Sequence, residues 1–200
     1  MGIRTILSDL ACRSRHRFLA ESFAIPSHLT IRERLELARL AQAPGLRNIV
    51  EIGSYLGASA AAFGAGLARS ANADAKIYCV DTWNNDSMSE GQRDTMALFL
   101  RNTATYRHTI VTVRGWSTEV FDTIAAGAGR IDLLFIDGDH SYEGCLADWK
   151  AYAPLLAPAA RVAFHDVGWA EGVRKVIDQE VRGLVVREER LPNLWWGELA

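Results

Sequence analysis

Apolar residues recur along this chain with two alternating periods. Arg47 to Ile52, Lys76 to Val80, Thr109 to Val113, Ile131 to Ile136 and Arg161 to Phe164 are short, rich in β-branched residues and nearly continuous in their hydrophobicity, as strands buried on both faces are. Between them run helix-compatible stretches. These are Ala58 to Ala68, built almost wholly of small residues, Gln92 to Tyr106, a segment starting at Ser117 or Thr118, and Tyr142 to Leu156, broken by Pro154 and Pro158. Upstream, Thr30-Ile31-Arg32-Glu33 has the form of a capping box, in which the hydroxyl and the carboxylate each satisfy an otherwise unpaired N–H, and it opens a helix ending near Pro44-Gly45. Strands alternating with helices of this length predict a parallel sheet with helices on both faces. Past Glu171 the pattern gives one more helix, then Gly183 to Arg187 and Leu194 to Glu198 as a closing pair of strands. Residues 1 to 29 lie outside the repeating pattern and are read as a helical extension, serving as a lid, a dimer arm or simple packing, ahead of one domain spanning 30 to 200.

In open parallel sheets ligands bind beyond the carboxyl ends of the strands, so those ends are read together. The first strand runs into Glu51-Ile52-Gly53-Ser54-Tyr55-Leu56-Gly57. Gly53 and Gly57 permit a sharp turn and let main-chain N–H groups approach a ligand with no Cβ in the way. The spacing is E-x-G-x-x-x-G, with Tyr55 where the second glycine of a dinucleotide fingerprint would stand, so no pyrophosphate cradle is evident. A smaller nucleoside cofactor with a charged amino-acid tail fits better. The second strand ends in Val80-Asp81-Thr82-Trp83, an acid 24 residues after Gly57 (81 − 57), which can accept from both ribose hydroxyls or cap the next segment. The third ends in Arg114-Gly115-Trp116-Ser117, where Ser117 can also cap a helix. The fourth ends in Asp137-Gly138-Asp139-His140. Two carboxylates and an imidazole gathered straight after a hydrophobic strand are costly unless they share a cation, a proton or solvent.

Taken in order, these segments and Phe164-His165-Asp166 resemble the motifs of class I S-adenosylmethionine-dependent methyltransferases, over about Asn48 to Val167. The string I-D-G-D-H-S-Y-E-G is similar to that of small-molecule O-methyltransferases related to catechol O-methyltransferase, a subgroup with antibiotic-sugar and macrolide enzymes, many of them metal-dependent. The resemblance implies an α/β Rossmann-like fold, a mostly parallel seven-stranded sheet with helices on both faces and a C-terminal antiparallel hairpin. It implies S-adenosylmethionine as cofactor, held around Glu51, Gly53, Ser54, Gly57, Ser59, Asp81, Thr82, Trp83, Gly115, Trp116, Ser117 and Asp137, with the adenine at the Gly115-Trp116-Ser117 turn. Asp137 and Asp166 match the metal-binding acids of the relatives, and His165 stands where those usually carry another acid; the three are expected to hold Mg²⁺ or Mn²⁺. Adjacent residues of a regular strand point to opposite faces, so 165 and 166 reach one cation only if the chain turns out of the sheet there.

Methyl transfer to an alcohol needs the oxygen aligned and made nucleophilic, which a cation and a nearby imidazole can do. His140 is the candidate base, with an unperturbed pKa of about 6.5, or a histidine fixing its own loop through Asp139 or a carbonyl; His165 is the competing base, and Asp137 completes the catalytic set. The expected acceptor is a small-molecule hydroxyl, such as that of a glycosylated or polyketide-like natural product. A nucleotide-dependent oxidoreductase and a non-catalytic cofactor-binding module are the competing readings.

Composition narrows this little further. Two hundred residues, 49% hydrophobic and 23% charged, suit one soluble globular domain, and a formal charge of −2 gives no electrostatic argument for nucleic acid or an anionic membrane. Arg13, Arg15, His16 and Arg17 read as a solvated helix face. Cys12, Cys79 and Cys145 are odd in number and far apart, which favours a reduced cytoplasmic setting. No apolar run approaches the roughly 18 residues of a membrane span; Arg4, Asp9 and Arg13 interrupt any signal-peptide core, and Ile6 breaks the myristoylation pattern begun by Met1-Gly2. Trp83, Asn84, Asn85 and Asp86 form a polar loop that can border the substrate, whereas at least one of Trp195 and Trp196 is expected to be packing. A homo-oligomer is left open.

Overall fold

Five parallel strands form the centre of the sheet: β1 (Asn48–Ile52), β2 (Lys76–Asp81), β3 (Ile110–Arg114), β4 (Ile131–Ile136) and β5 (Leu156–His165). A hairpin of β6 (Val185–Arg190) and β7 (Leu194–Leu199) closes it. This arrangement comes from a computed structural model that describes residues 9, 11–72, 74–85 and 91–200. The strand order is β3-β2-β1-β4-β5-β7-β6, with β7 antiparallel to both β5 and β6. The direction of winding therefore reverses between β1 and β4, and the crevice for a ligand opens at their carboxyl ends.

These α-helices accompany the strands: α1 (Ala20–Ala24), α2 (Ile31–Leu40), α3 (Ala58–Leu67), α4 (Met96–Asn102), α5 (Phe121–Ala128), α6 (Tyr142–Tyr152) and α7 (Glu171–Val176). Strand alternation divides the core into two layers. Ile49, Ile77, Leu133 and Ala163 join α2 and α3 on one face, while Val50, Tyr78, Leu134 and Val162 join α5, α6 and α7 on the other. Trp195 and Trp196 obey the same rule and are both buried, one in each layer. The capping box forms as expected, with the Thr30 N–H donating to Glu33 Oε2 at 2.7 Å and the Glu33 N–H to Thr30 Oγ1 at 3.3 Å.

Several boundaries differ from the sequence reading. The helix expected from Gln92 begins only at Met96, because residues 91–95 fold back on the preceding loop, Arg93 N–H to the Asn84 carbonyl and Thr95 N–H to that of Trp83. Ser117 does not start a helix. A turn over Trp116 intervenes and α5 begins at Phe121, since the Ser117 hydroxyl is engaged by Asp148. The helix expected to reach Leu156 ends at Tyr152 in a 3₁₀ turn containing Pro154, and β5 begins five residues before Arg161 (161 − 156). Its first half carries Pro158 and the positive-φ Ala159, so regular pairing with β4 resumes only at Arg161. The strand expected from Gly183 begins at Val185, residues 182–184 forming another 3₁₀ turn. Among the described residues no helix is long and apolar enough to cross a membrane.

The small residues of α3 let that helix lie almost against its neighbours. A Cβ added at Gly66 would fall 2.3 Å from the Ala38 carbonyl oxygen in α2. Replacing Gly66 with Ala gains about 1 kcal/mol of helix propensity, but overpacking against backbone costs about 1–3 kcal/mol. Gly66→Ala is therefore expected to lower the urea midpoint, by a net loss on the order of 1 kcal/mol. A midpoint equal to or above the wild type's would show that the helices do not depend on this contact.

Candidate functional site

The site grows from the turns that leave β1, β2, β4 and β5. Gly53 has φ +86 and Gly57 φ +90, the left-handed region open to glycine. A Cβ at Gly53 would lie 2.1 Å from the Asp137 carbonyl oxygen, so this glycine is what allows the ends of β1 and β4 to meet. Tyr55 also takes positive φ, +43, without being glycine. It is held there by Asp81, whose Oδ2 accepts the Ser54 N–H at 2.9 Å and the Tyr55 N–H at 2.8 Å, while Oδ1 accepts the Trp83 N–H at 2.6 Å. Asp81 thus does the capping work that the sequence left open, and it also lines the cavity.

That cavity has a volume of about 890 Å³, within the range of small-molecule sites. Gly53, Ser54, Ser59, Asp81, Thr82, Gly115, Trp116, Ser117 and Asp137 all border it, and so do His140, His165 and Asp166. Three residues expected around the cofactor stand behind its wall. Trp83 is fully buried against Phe99, ring centroids 4.9 Å apart, and its indole donates to the Tyr55 carbonyl at 3.0 Å. Gly57 caps the start of α3, and a Cβ there would strike Thr103. Glu51 is completely buried and accepts the Ser54 hydroxyl at 2.6 Å, while its Oε1 has no hydrogen-bond partner. These three shape the turn rather than border the cavity. Asn85 lines the cavity, and Asp86 lies outside the described residues.

At the other end four titratable side chains converge. His140 Nε2 lies 2.7 Å from Asp166 Oδ2, and His165 Nδ1 lies 3.0 Å from Asp137 Oδ1 and 3.4 Å from Asp166 Oδ1. Asp166 has φ +61, so the chain does turn out of the sheet after His165. The turn brings the two residues together in a way that differs from expectation. Ligand atoms of Asp137, His140 and Asp166 lie within 4.8 Å of one another, a carboxylate–imidazole–carboxylate set able to hold a cation. His165 is not in that set; its ring is 1% exposed and its Nε2 faces Glu33 Oε2 at 3.6 Å and the Asn193 amide at 3.2 Å. Three carboxylates, those of Asp137, Asp166 and Glu33, thus surround one buried ring.

The electrostatics follow. Burial opposes the His165 charge, but Asp137, Asp166 and Glu33 overcome it and hold the imidazole protonated far above its ordinary range. The Asp166 hydrogen bond raises His140. Burial would raise Asp166, yet the two imidazoles keep it well below the usual carboxylate range. Glu33 is likewise lowered in spite of burial, by His165 and Thr30.

Several site residues carried no recognisable motif. Glu33 showed itself only as a cap, yet its carboxylate also reaches His165. Asn193, in the β6–β7 turn, donates to Asp166 Oδ1 at 2.8 Å. Trp169, 62% exposed, donates its indole N–H to the same oxygen at 2.7 Å and meets His140 edge to face. Pro26 to Leu29 supply one wall. Asp148, buried on α6 with Cys145, Trp149 and Tyr152, carried no motif either.

Burial raises Glu51 to about 7, against the lowering influence of Ser54, Ser59 and Cys79. The folded protein therefore binds a proton here that the unfolded chain releases near its ordinary 4.5, and stability falls as pH rises from about 4.5 to about 7. The full loss is on the order of 3 kcal/mol. Glu51→Gln is expected to flatten the decline of unfolding free energy across that window, measured by urea titration at intervals of pH. Identical slopes for variant and wild type would exclude a protonated Glu51.

The geometry has counterparts. The chain is similar to the O-methyltransferase TomG from Streptomyces achromogenes, involved in tomaymycin synthesis and solved with S-adenosylmethionine (TM-score 0.74, 16% identity, covering 100% of this chain and 99% of that one). It is similar to an O-methyltransferase from Bacillus cereus in complex with S-adenosylhomocysteine (TM-score 0.72, 16% identity, 97% of each chain). CalS11, a TDP-rhamnose 3'-O-methyltransferase of calicheamicin biosynthesis, matches with TM-score 0.66 and 20% identity over 84% of this chain and 79% of that one. These likenesses show a shared fold. In sequence, uncharacterized protein y4gI from Sinorhizobium fredii is 31% identical over 122 residues, which are 60% of this chain but only 13% of that protein. The family model described as a methyltransferase domain matches residues 50–167, more than half of the chain, from within β1 to just past the His165-Asp166 turn after β5, and the chain belongs to that family.

Proposed function

We propose that the chain transfers the methyl group of S-adenosylmethionine to a hydroxyl of a small molecule. The observation that carries this reading is the charge of the cavity. Asp81, Glu119, Asp137, Asp139, Asp148 and Asp166 border it, with no Lys or Arg among the described lining residues. A field of that sign repels the pyrophosphate of a nicotinamide dinucleotide and favours a sulfonium with an ammonium tail. The nucleotide-dependent oxidoreductase is disfavoured on the same ground.

In this reading the sulfonium brings its own leaving group, and the protein positions the acceptor and removes its proton. Asp166 orients His140 through Nε2 and raises its basicity, leaving the other ring nitrogen to take the hydroxyl proton, as an acid-oriented base does. Asp137 and Asp166 offer carboxylate oxygens to a divalent cation such as Mg²⁺ or Mn²⁺, with His140 beside them kept as the base. A cation held by Asp137 and Asp166 would lower the pKa of the acceptor hydroxyl. His165 then acts behind the pair, holding the two acids in place. Pro26 to Leu29 make the extension before Thr30 a wall of the acceptor space. The TDP-rhamnose acceptor of CalS11 makes a glycosylated compound the first acceptor class to try.

S-adenosylhomocysteine at 100 times its dissociation constant is expected to stabilise the protein by about 2.7 kcal/mol, a rise of roughly 5–10 °C for a domain of this size. NAD and ATP should produce none. A thermal-shift panel, each ligand with EDTA or with Mg²⁺ or Mn²⁺, checks this, and no shift with S-adenosylhomocysteine under any condition would sink the proposal. His140→Gln is expected to cut methyl transfer from labelled S-adenosylmethionine to a hydroxylated acceptor by roughly 10²–10⁴-fold while leaving the S-adenosylhomocysteine shift in place. Undiminished transfer would remove His140 from the chemistry.

A further inference from the structure

A buried carboxylate that the methyl-transfer chemistry does not use stands on the cavity wall away from the His140–Asp166 pair. Asp148 occupies the middle of α6, is 5% exposed and borders the cavity. A carboxylate among apolar side chains needs hydrogen-bond donors to offset its desolvation. One oxygen, Oδ1, accepts the Ser117 hydroxyl, and Ser117 is itself fixed by the Tyr152 hydroxyl, which donates to its carbonyl at 2.8 Å. The other, Oδ2, accepts no hydrogen bond from the described residues. It lies beside Gly138, 3.3 Å from where a Cβ would stand. Burial lifts this carboxyl to about 6, a sign that Ser117 alone does not compensate its charge. The wall therefore offers an oriented acceptor with no donor of its own, next to the Gly115-Trp116-Ser117 turn.

A ligand completes such a wall by bringing an N–H. Among the parts of a purine nucleoside, the base edge can do so: adenine carries an exocyclic amino group, whereas hypoxanthine has a carbonyl there, which a carboxylate repels. We infer that Asp148 is a specificity-determining residue for the cofactor's base, its Oδ2 accepting from the adenine amino group while Ser117 sets the carboxylate's orientation. This rests on the S-adenosylmethionine reading and adds to it the residue that reads the base. A purely structural role for Asp148, bracing Ser117, would weaken all purine analogues in parallel.

The test is calorimetric titration of the intact chain with S-adenosylhomocysteine and with S-inosylhomocysteine, its 6-oxo analogue. Wild type is expected to prefer the amino compound by at least roughly 100-fold, since a site built around one hydrogen bond rejects a ligand that leaves it unpaired. In Asp148→Asn, whose amide can donate to the carbonyl, the preference should collapse to within roughly 10-fold. Equal binding of both compounds by wild type, or an unchanged preference in Asp148→Asn, overturns the assignment. Should Asp148→Asn not fold, Ser117→Ala takes its place, expected to keep the fold and reduce the preference; an unchanged preference there overturns it. Failure of wild type to bind S-adenosylhomocysteine at all would overturn the methyltransferase reading beneath it, a distinct result.

Discussion

Three backbone N–H groups meet on the carboxylate of Asp81, and the site depends on that convergence. Ser54 and Tyr55 belong to the turn after β1 and Trp83 to the turn after β2, so one side chain fastens the two strand ends together. Tyr55 and Trp83 both adopt positive φ, at +43° and +50°, a conformation costing of order 1–3 kcal/mol for each non-glycine residue. Hydrogen bonds to a charged acceptor contribute about 1.5–3 kcal/mol apiece, enough to offset that strain. The indole of Trp83 then locks the arrangement from inside, packing against Phe99 and donating to the Tyr55 carbonyl. With the turn fixed, Gly53 can sit against the Asp137 carbonyl, and the acids of β4 take their place at the edge of the crevice.

A second constraint operates where β4 and β5 end. Asp137 and Asp166 would repel each other across neighbouring strands in a dry setting. The His165 imidazolium lies within 3.4 Å of both and so makes their approach favourable. Its far nitrogen faces Glu33, whose other duty is to cap α2. Arg34, the next residue, donates to the carbonyls of Ser22, Ile25 and Leu29. Two consecutive residues of one helix thus tie the N-terminal segment to the acid cluster, which explains why that segment walls the cavity.

Much of this was legible in the sequence, for reasons that differ by element. The parallel strands announced themselves because burial on both faces leaves continuous apolar runs, and the capping box because its two hydrogen bonds need fixed residue types at fixed spacing. The helix starts after β2 and β3 were not legible, since they depend on contacts with distant residues: Trp83 and Asn84 carbonyls in one case, Asp148 in the other. Side-chain direction was the main loss at the site. His165 and His140 were both read as reaching the chemistry, and both border the cavity, but the His165 ring is buried among Asp137, Asp166 and Glu33, a setting its place in the sequence did not reveal. The roles of Asn193 and Trp169 required knowing that the β6–β7 turn and the loop after β5 close over one carboxylate.

The distribution of charge connects stability with function. Burial holds Glu51 and Asp148 above the usual carboxylate range, at about 7 and about 6, and each is therefore a liability to the ligand-free fold at neutral pH. A chain selected for stability alone would place apolar residues there, since apolar replacements of buried charges are often neutral or stabilising. Both acids instead hold turns that surround the cavity, Glu51 from β1 gripping Ser54 and Asp148 from α6 gripping Ser117. A cationic ligand entering an acid-lined cavity relieves the mutual repulsion of its walls, so binding and folding stabilise each other.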